Sequence, residues 1–248
     1  MIAISIDLES DFGVKGEFSS TTELYSVLSL LKKHNIKATF FVSTEILSKG
    51  LTENDLVNIS EQGHEIASHG HRHIDIRKLS AVEFESDILN SKTILESILK
   101  KNVSGYRSPY LSFKKEMNHI IEKVGYEYNS SSASLWPSHK NIDFFRTRKN
   151  FEVPIASLLF ILPLSLTYLR LLNPFSRFMK IESGSLFFHI HEFREIKNPE
   201  RSLLNRILGI NSGAKAYDIL DIFLKKKSHK YKFVTCFEYS KCKDPGTR

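Results

Sequence analysis

Residues 2–9, Ile2-Ala3-Ile4-Ser5-Ile6-Asp7-Leu8-Glu9, decide the fold. The first five form a short, β-branched apolar block that reads as a strand, and two carboxylates follow it at once. The pattern recurs along the chain. Residues 37–42 (KATFFV), 64–68 and 185–189 (SLFFH) read as strands, 104–107 and 126–128 as shorter extended pieces, and 231–237 (YKFVTCF) as a final strand. Helix-length segments separate them. Residues 21–34 place Leu24, Val27, Leu28 and Leu31 on one face, and 52–62 end at Gly63. Residues 80–101 open with Ser80 as cap and Glu83 at the capping-box position; 112–124 and 213–227 follow. Continuous apolar strands alternating with helices predict a parallel sheet covered on both faces. With at least six such units, a closed or nearly closed barrel fits better than an open sheet.

The 248 residues are 41% hydrophobic, 25% charged and 11% aromatic, enough to bury a large core and to exclude global disorder. No repeat, linker or low-complexity tract interrupts them, so one domain over 1–248 is expected, with an apolar insertion around 153–180. That insertion contains 17 residues without a charge, 153–169 (VPIASLLFILPLSLTYL). A spanning helix needs about 20 apolar residues, and Pro154 and Pro163 interrupt this run. A buried or irregular insertion is the first expectation; peripheral contact with membrane or a lipid-linked ligand is the second, favoured by Arg170, Arg177 and Lys180. Two cysteines exclude a disulfide framework, and no basic leader precedes the first strand, so a cytoplasmic protein is expected, with the inner membrane face as a place of contact. A net charge of +7 favours anionic partners. Its densest run, Lys225-Lys226-Lys227, lacks any accompanying nucleic-acid motif, so no nucleic-acid partner is expected.

Four clusters can carry chemistry, each just after an expected strand. Asp7 and Glu9, two apart in extended chain, point to the same side. They sit where barrel enzymes place their active sites. Ser68-His69-Gly70-His71-Arg72-His73 offers three imidazoles in five residues, a ligand type suited to divalent metals; spacing alone does not choose among them. Tyr106-Arg107-Ser108-Pro109-Tyr110 places a guanidinium able to fix a carboxylate beside a stiffened turn. Phe188-His189-Ile190-His191-Glu192 ends the strongest late strand with an acid–base candidate.

Taken together and in this order, SIDLESD, KATFFV, GHEIASHGHRH, GYRSPY, GYEYNSS and LFFHIHE resemble the polysaccharide deacetylases of the NodB-homology type, carbohydrate esterase family 4, in the branch whose first motif is Asp-x-Glu. The resemblance covers nearly the whole chain. It implies an α/β fold: a single-domain, deformed (β/α) barrel of about seven units. It implies that Asp7 is the catalytic base, that Glu9, His69 and His73 bind the metal with His71 at a variable position, that Arg107 orients the base and that His189 is the general acid. Pro109 and Tyr110 fall where such enzymes meet substrate. Two departures stand out: Asn129 replaces a frequent aspartate, and His189-Ile190-His191-Glu192 replaces a more usual His-Pro-aromatic-Glu, making His191 a rival acid.

The expected activity is metal-dependent hydrolysis of an N-acetyl or other N-acyl group on an amino sugar, in a polysaccharide or its lipid-linked precursor. Zinc suits two imidazoles and a carboxylate, with cobalt, nickel or manganese as alternatives. The rival readings are a non-sugar amidohydrolase and a catalytically silent carbohydrate-binding relative.

Overall fold

The computed structural model describes residues 1–10, 18, 20–112, 114–132, 151–158, 162–195, 207 and 209–243. Strands β1 (Ile2–Leu8), β2 (Thr39–Val42), β3 (Glu65–Ser68), β4 (Gly105–Tyr106), β5 (Tyr128–Asn129) and β6 (Phe151–Glu152) pair in that order, all parallel. A small antiparallel hairpin, β7 (Ser157–Leu158) and β8 (Leu162–Pro163), precedes β9 (Gly184–His189). β9 runs along β1 from Ile2↔Gly184 to Asp7↔His189. The far edge of β9 meets the chain just beyond β6 through the bridge Ile155↔Ser185, and this closes the circuit. The last strand, β10 (Phe233–Val234), pairs with Ile2 and Ala3. Because Ile2 also pairs with Gly184, β10 shares the other edge of β1 with β2.

Alternation along β1 divides the apolar residues into two cores. Ile2, Ile4, Ile6 and Leu8 join the larger one, with Leu24, Val27 and Leu31 from helix α1 (Thr21–Lys33). Ala3 joins the smaller one, with Phe41, Ala67, Tyr128, Val153 and Val234. These come from successive strands around the circuit, so the smaller core is the barrel interior and the larger one the sleeve between strands and helices. The barrel of about seven units expected from the family resemblance is present, closed between β9 and the chain just beyond β6 by the bridge Ile155↔Ser185.

Local sequence explains the helix starts. Thr52 and Asp55 form a reciprocal cap on α2 (Glu53–Glu61), and Ser80 and Glu83 do so on α3 (Ala81–Leu99). Helix α4 (Asn118–Lys123) is shorter than the expected 112–124, because Ser112 closes the turn Pro109–Leu111 and Lys115–Met117 forms a separate single turn. α5 (Leu166–Leu171) and α6 (Ala214–Ser228) pack on each other.

The expected strand over 231–237 is corrected. It ends at Val234, and helix α7 (Cys236–Lys243) begins two residues later. Thr235 and Glu238 cap each other: Thr235 N donates to Glu238 Oε2 (2.9 Å), and Glu238 N to Thr235 Oγ1 (3.1 Å). That box outweighs the β-rich composition before it. Cys236 and Tyr239 then plug the barrel interior at the strand-start end.

The uncharged stretch 153–169 carries the short β7–β8 hairpin and the start of α5, and its described residues form no spanning helix. Val153, Ile155, Ala156, Leu158, Leu164, Leu166 and Leu169 are all fully buried, wrapped between β6 and β9. No helix among the described residues is long and apolar enough to cross a membrane. Most of the described apolar residues of 153–169 thus pack inward.

Candidate active site

The interior of the barrel becomes polar toward the strand-end face. Ser5 and Asp7 follow Ala3 on the inner face of β1, and Glu9 continues the series one residue past the strand. Arg107, fully buried just after β4, lies beneath them with its guanidinium 4.0 Å from the centre of the Phe41 ring. Nη1 donates to Asp7 Oδ1 (2.6 Å), Nη2 to Ser5 Oγ and Ser130 Oγ (2.9 Å each), and Nε to the Ser130 carbonyl (3.0 Å). One oxygen of Asp7 is therefore fixed and the other faces the cleft.

Removing this guanidinium leaves a buried carboxylate without its partner. Arg107→Ala is expected to cost about 3–5 kcal/mol of stability, read as a lower urea midpoint. A midpoint within experimental error of the parent would show that Asp7 does not depend on it.

Glu9, His69 and His73 bring three possible ligand atoms within 4.8 Å of one another. The segment carrying the histidines is an irregular turn rather than strand or helix, with Gly70 at φ 78° and His73 at φ 48°. Their rings lie 5.1 Å apart, while His71 turns away and its Nδ1 bonds Thr44 Oγ1 (2.8 Å). His69 Nδ1 donates to the Arg107 carbonyl (2.8 Å), which in the neutral ring leaves the Nε2 lone pair facing Glu9 Oε2 at 3.3 Å. His73 Nε2 is buried 2.5 Å from the same oxygen, at an angle that makes no hydrogen bond. Two imidazole nitrogens converging on one carboxylate oxygen are what a cation site requires, and two imidazoles with one carboxylate are a zinc-type donor set. These residues fit a divalent metal.

The electrostatics agree. Burial would raise the Glu9 carboxyl, but His189 and contacts with His69 and His73 hold it well below its ordinary value. Burial opposes a charge on His189, yet Glu9, Glu192 and Asp7 push it up to about 9. Its Nε2 stands 3.6 Å from Glu9 Oε1 and 3.9 Å from Asp7 Oδ2, across the cleft from both carboxylates. His191 stacks behind it, ring centres 5.0 Å apart, away from this pair of contacts.

Pro109 is buried and Tyr110 is 65% exposed, its ring 4.8 Å from that of His73. Tyr110 and Leu111 both have positive φ, 60° and 49°. Such backbone in non-glycine residues costs on the order of 1 kcal/mol each and gathers at functional loops. The cleft thus has an aromatic wall beside the ligand cluster.

Three supports were not singled out from sequence. Ser5 and Ser130 hold Arg107; Ser5 shares the parity of Asp7 and Glu9 in β1, a signal that was present. Glu192 accepts from the His189 backbone N (3.2 Å) and from Arg170 Nε and Nη2 (3.2 and 2.9 Å), a buried pair linking residues distant in sequence. Glu152, in register with Asn129, is buried; burial pushes its carboxyl up to about 7 although Ser132, Ser131 and Arg107 oppose the shift. A carboxyl thus stands on β6, one strand beyond the place where the family often carries an aspartate.

Residues 11–129 match the polysaccharide deacetylase family. A peptidoglycan deacetylase of Helicobacter pylori is 28% identical over 120 residues, 47% of this chain and 39% of the relative. A chitin deacetylase of a Pestalotiopsis species is 30% identical over 144 residues, 57% of this chain and 47% of the relative. The chain spans less than half the length of these curated relatives. Among solved structures, a putative polysaccharide deacetylase from Mycobacterium smegmatis superposes with a TM-score of 0.62 at 15% identity, covering 97% of this chain and 90% of that one. A family-4 pseudoenzyme from Bacillus anthracis gives 0.61 at 16% identity, covering 96% and 64%. Both show the same fold. The motif order, the match over residues 11–129 and the fold agree, and nearly half of the chain matches the polysaccharide deacetylase family.

Proposed function

We propose that the protein is a metal-dependent deacetylase that hydrolyses the N-acetyl group of an amino sugar in a cell-envelope polysaccharide or its lipid-linked precursor. The observation that carries this reading is the division of labour at the cleft. Asp7, held by Arg107, has one free oxygen; Glu9 faces two imidazoles; and His189 stands opposite both. Support for turnover rather than silent binding is that all these groups are present together in one cleft. The named relatives act on peptidoglycan and chitin, both built on N-acetylated sugars.

Glu9, His69 and His73 would hold the ion, with zinc the first candidate. A divalent metal there supplies Lewis acidity, polarising a carbonyl oxygen and acidifying water. The chain's own residues do the rest. Asp7 Oδ2 accepts the proton of the attacking water, and Arg107 keeps that carboxylate aimed while occupying its other oxygen. His189 carries a proton toward the departing amine, which is a poor leaving group until protonated. Tyr110 and Pro109 form one wall for the sugar ring. A cytoplasmic location belongs to the same proposal; two free cysteines, one buried and one exposed, are its support.

Acetate release from N-acetylglucosamine oligomers, with and without chelator, tests the activity. No release from metal-loaded protein on chitin or peptidoglycan oligomers would leave a binding relative as the better account. The acid is tested separately. His189→Ala is expected to slow turnover by at least about 10²-fold with metal content unchanged, and His191→Ala to stay within about tenfold of wild type. The reverse ranking would make His191 the acid.

A further inference from the structure

The segment between α5 and β9 carries two phenylalanines that neither core uses. Phe175 and Phe178 are 69% and 71% exposed, on a single turn of 3-10 helix, Phe175–Phe178. Cations surround the second. Arg177 lies 5.2 Å and Lys226 Nζ 4.5 Å from the centre of the Phe178 ring. Lys227 Nζ donates to the Met179 carbonyl (2.7 Å), which pins the C-terminal end of α6 to this segment. Lys225, Lys226 and Lys230 are exposed and make no ion pair among the described residues. Lys180 is exposed as well, shared with Glu182 at 3.1 Å. The crowding of positive charge reaches Lys227 itself: burial, then Lys230 and Lys226, lower its pKa.

We propose that this face docks the protein on an anionic lipid surface. Two rings standing out of a ring of lysines and an arginine match the layering of a bilayer interface, where aromatic side chains reach the acyl boundary and ammonium groups meet lipid phosphates. Lys180, Lys225, Lys226 and Lys230 are exposed on long flexible stems, Arg177 is half-buried, and the rings stand proud of the surface, an arrangement suited to a fluid anionic plane. The contact is distinct from the uncharged stretch 153–169, most of whose described apolar residues lie in the core.

The geometry also orients the docked protein. The segment holding Phe178 leads into Gly184, which is aligned with Ile2, whereas Asp7 and His189 are aligned at the opposite end of the same two strands. The C-terminal end of α6 belongs to that same strand-start side, since Phe233 of β10 is also aligned with Ile2. About 17 Å of strand separates the two ends. The cleft would therefore open away from the bilayer. Resting on the deacetylase reading, this selects glycan chains that stand off the membrane over a sugar attached directly to a lipid phosphate.

The test is sedimentation of the full chain with vesicles of phosphatidylcholine containing about 30 mol% phosphatidylglycerol, against phosphatidylcholine alone, at roughly 0.05 and 0.5 M salt. Wild type is expected to bind the anionic vesicles at least about tenfold more tightly than neutral ones and to lose most binding at the higher salt. Phe175→Ala/Phe178→Ala should weaken binding at least about tenfold, and Lys226→Glu at least about fivefold. Both changes are on the surface, and an unchanged thermal midpoint verifies folding. Binding of the double phenylalanine variant within about threefold of wild type, or no binding of wild type to anionic vesicles, overturns the proposal. So does a dimer in sedimentation velocity that the double variant dissolves, which would assign the face to a second copy. No arm depends on catalysis, so the deacetylase reading stands or falls separately.

Discussion

Asp7→Asn is expected to lower kcat by about 10²–10⁴-fold and to leave metal content unchanged. The substitution is nearly isosteric. Its Oδ1 still accepts from Arg107 Nη1, the bond seen at 2.6 Å, so the side chain keeps its place. What changes is the atom facing the cleft: an amide NH₂ cannot take a proton from water. Glu9→Gln provides the contrast, because it weakens a ligand of the proposed ion and should reduce metal affinity first. Steady-state rates on an N-acetylated oligosaccharide, with elemental analysis of the same samples, separate the two. An Asp7→Asn rate within a few-fold of wild type would remove Asp7 from the role of base.

The second large effect concerns the histidines. His73→Ala is expected to abolish most bound metal and nearly all activity, because its Nε2 has no other hydrogen-bond partner among the described residues and faces Glu9. His69→Ala should do the same but is the less clean variant, since it also deletes the hydrogen bond to the Arg107 carbonyl. His71→Ala should lose neither metal nor rate: its ring bonds Thr44. Metal retained by His73→Ala and lost by His71→Ala would overturn the ligand set.

Much of this arrangement could be read from the chain before any coordinates. β1, β2 and β9 are mainly apolar strands of four to seven residues, long enough to show their character, and the caps at Thr52 and Ser80 lie within three residues of their partners. Asp7, Glu9, His69, His73 and His189 stood out because each lies at or just past the end of such a strand or of β3. What escaped notice was short or distant. β6 has two residues, too few for a pattern to register. The Arg170–Glu192 pair and the seats of Arg107 on Ser5 and Ser130 depend on packing that no local window contains. The Thr235–Glu238 cap was visible but lay inside an apolar stretch that argued for strand. The same apolar bias left 153–169 open to a second reading as a surface for lipid, whereas most of its described apolar residues are buried.

Among the described residues β1 is the one strand paired with three others, and two of them, β9 and β10, come from the far end of the chain. The hydroxyls of Ser5 and Ser185 meet at 2.7 Å across 180 residues of sequence. Closing so long a loop must precede the reward of pairing, which places this fold among the slow, high-contact-order topologies. At ribosomal speeds of about 5–20 residues per second, roughly 10–40 s pass between the emergence of the two serines. During that interval β1, fully apolar on its outer face, waits with an unpaired edge. The nascent chain is then a client for holding factors rather than an enzyme, because Asp7 and His189 become neighbours only when the last large strand has docked.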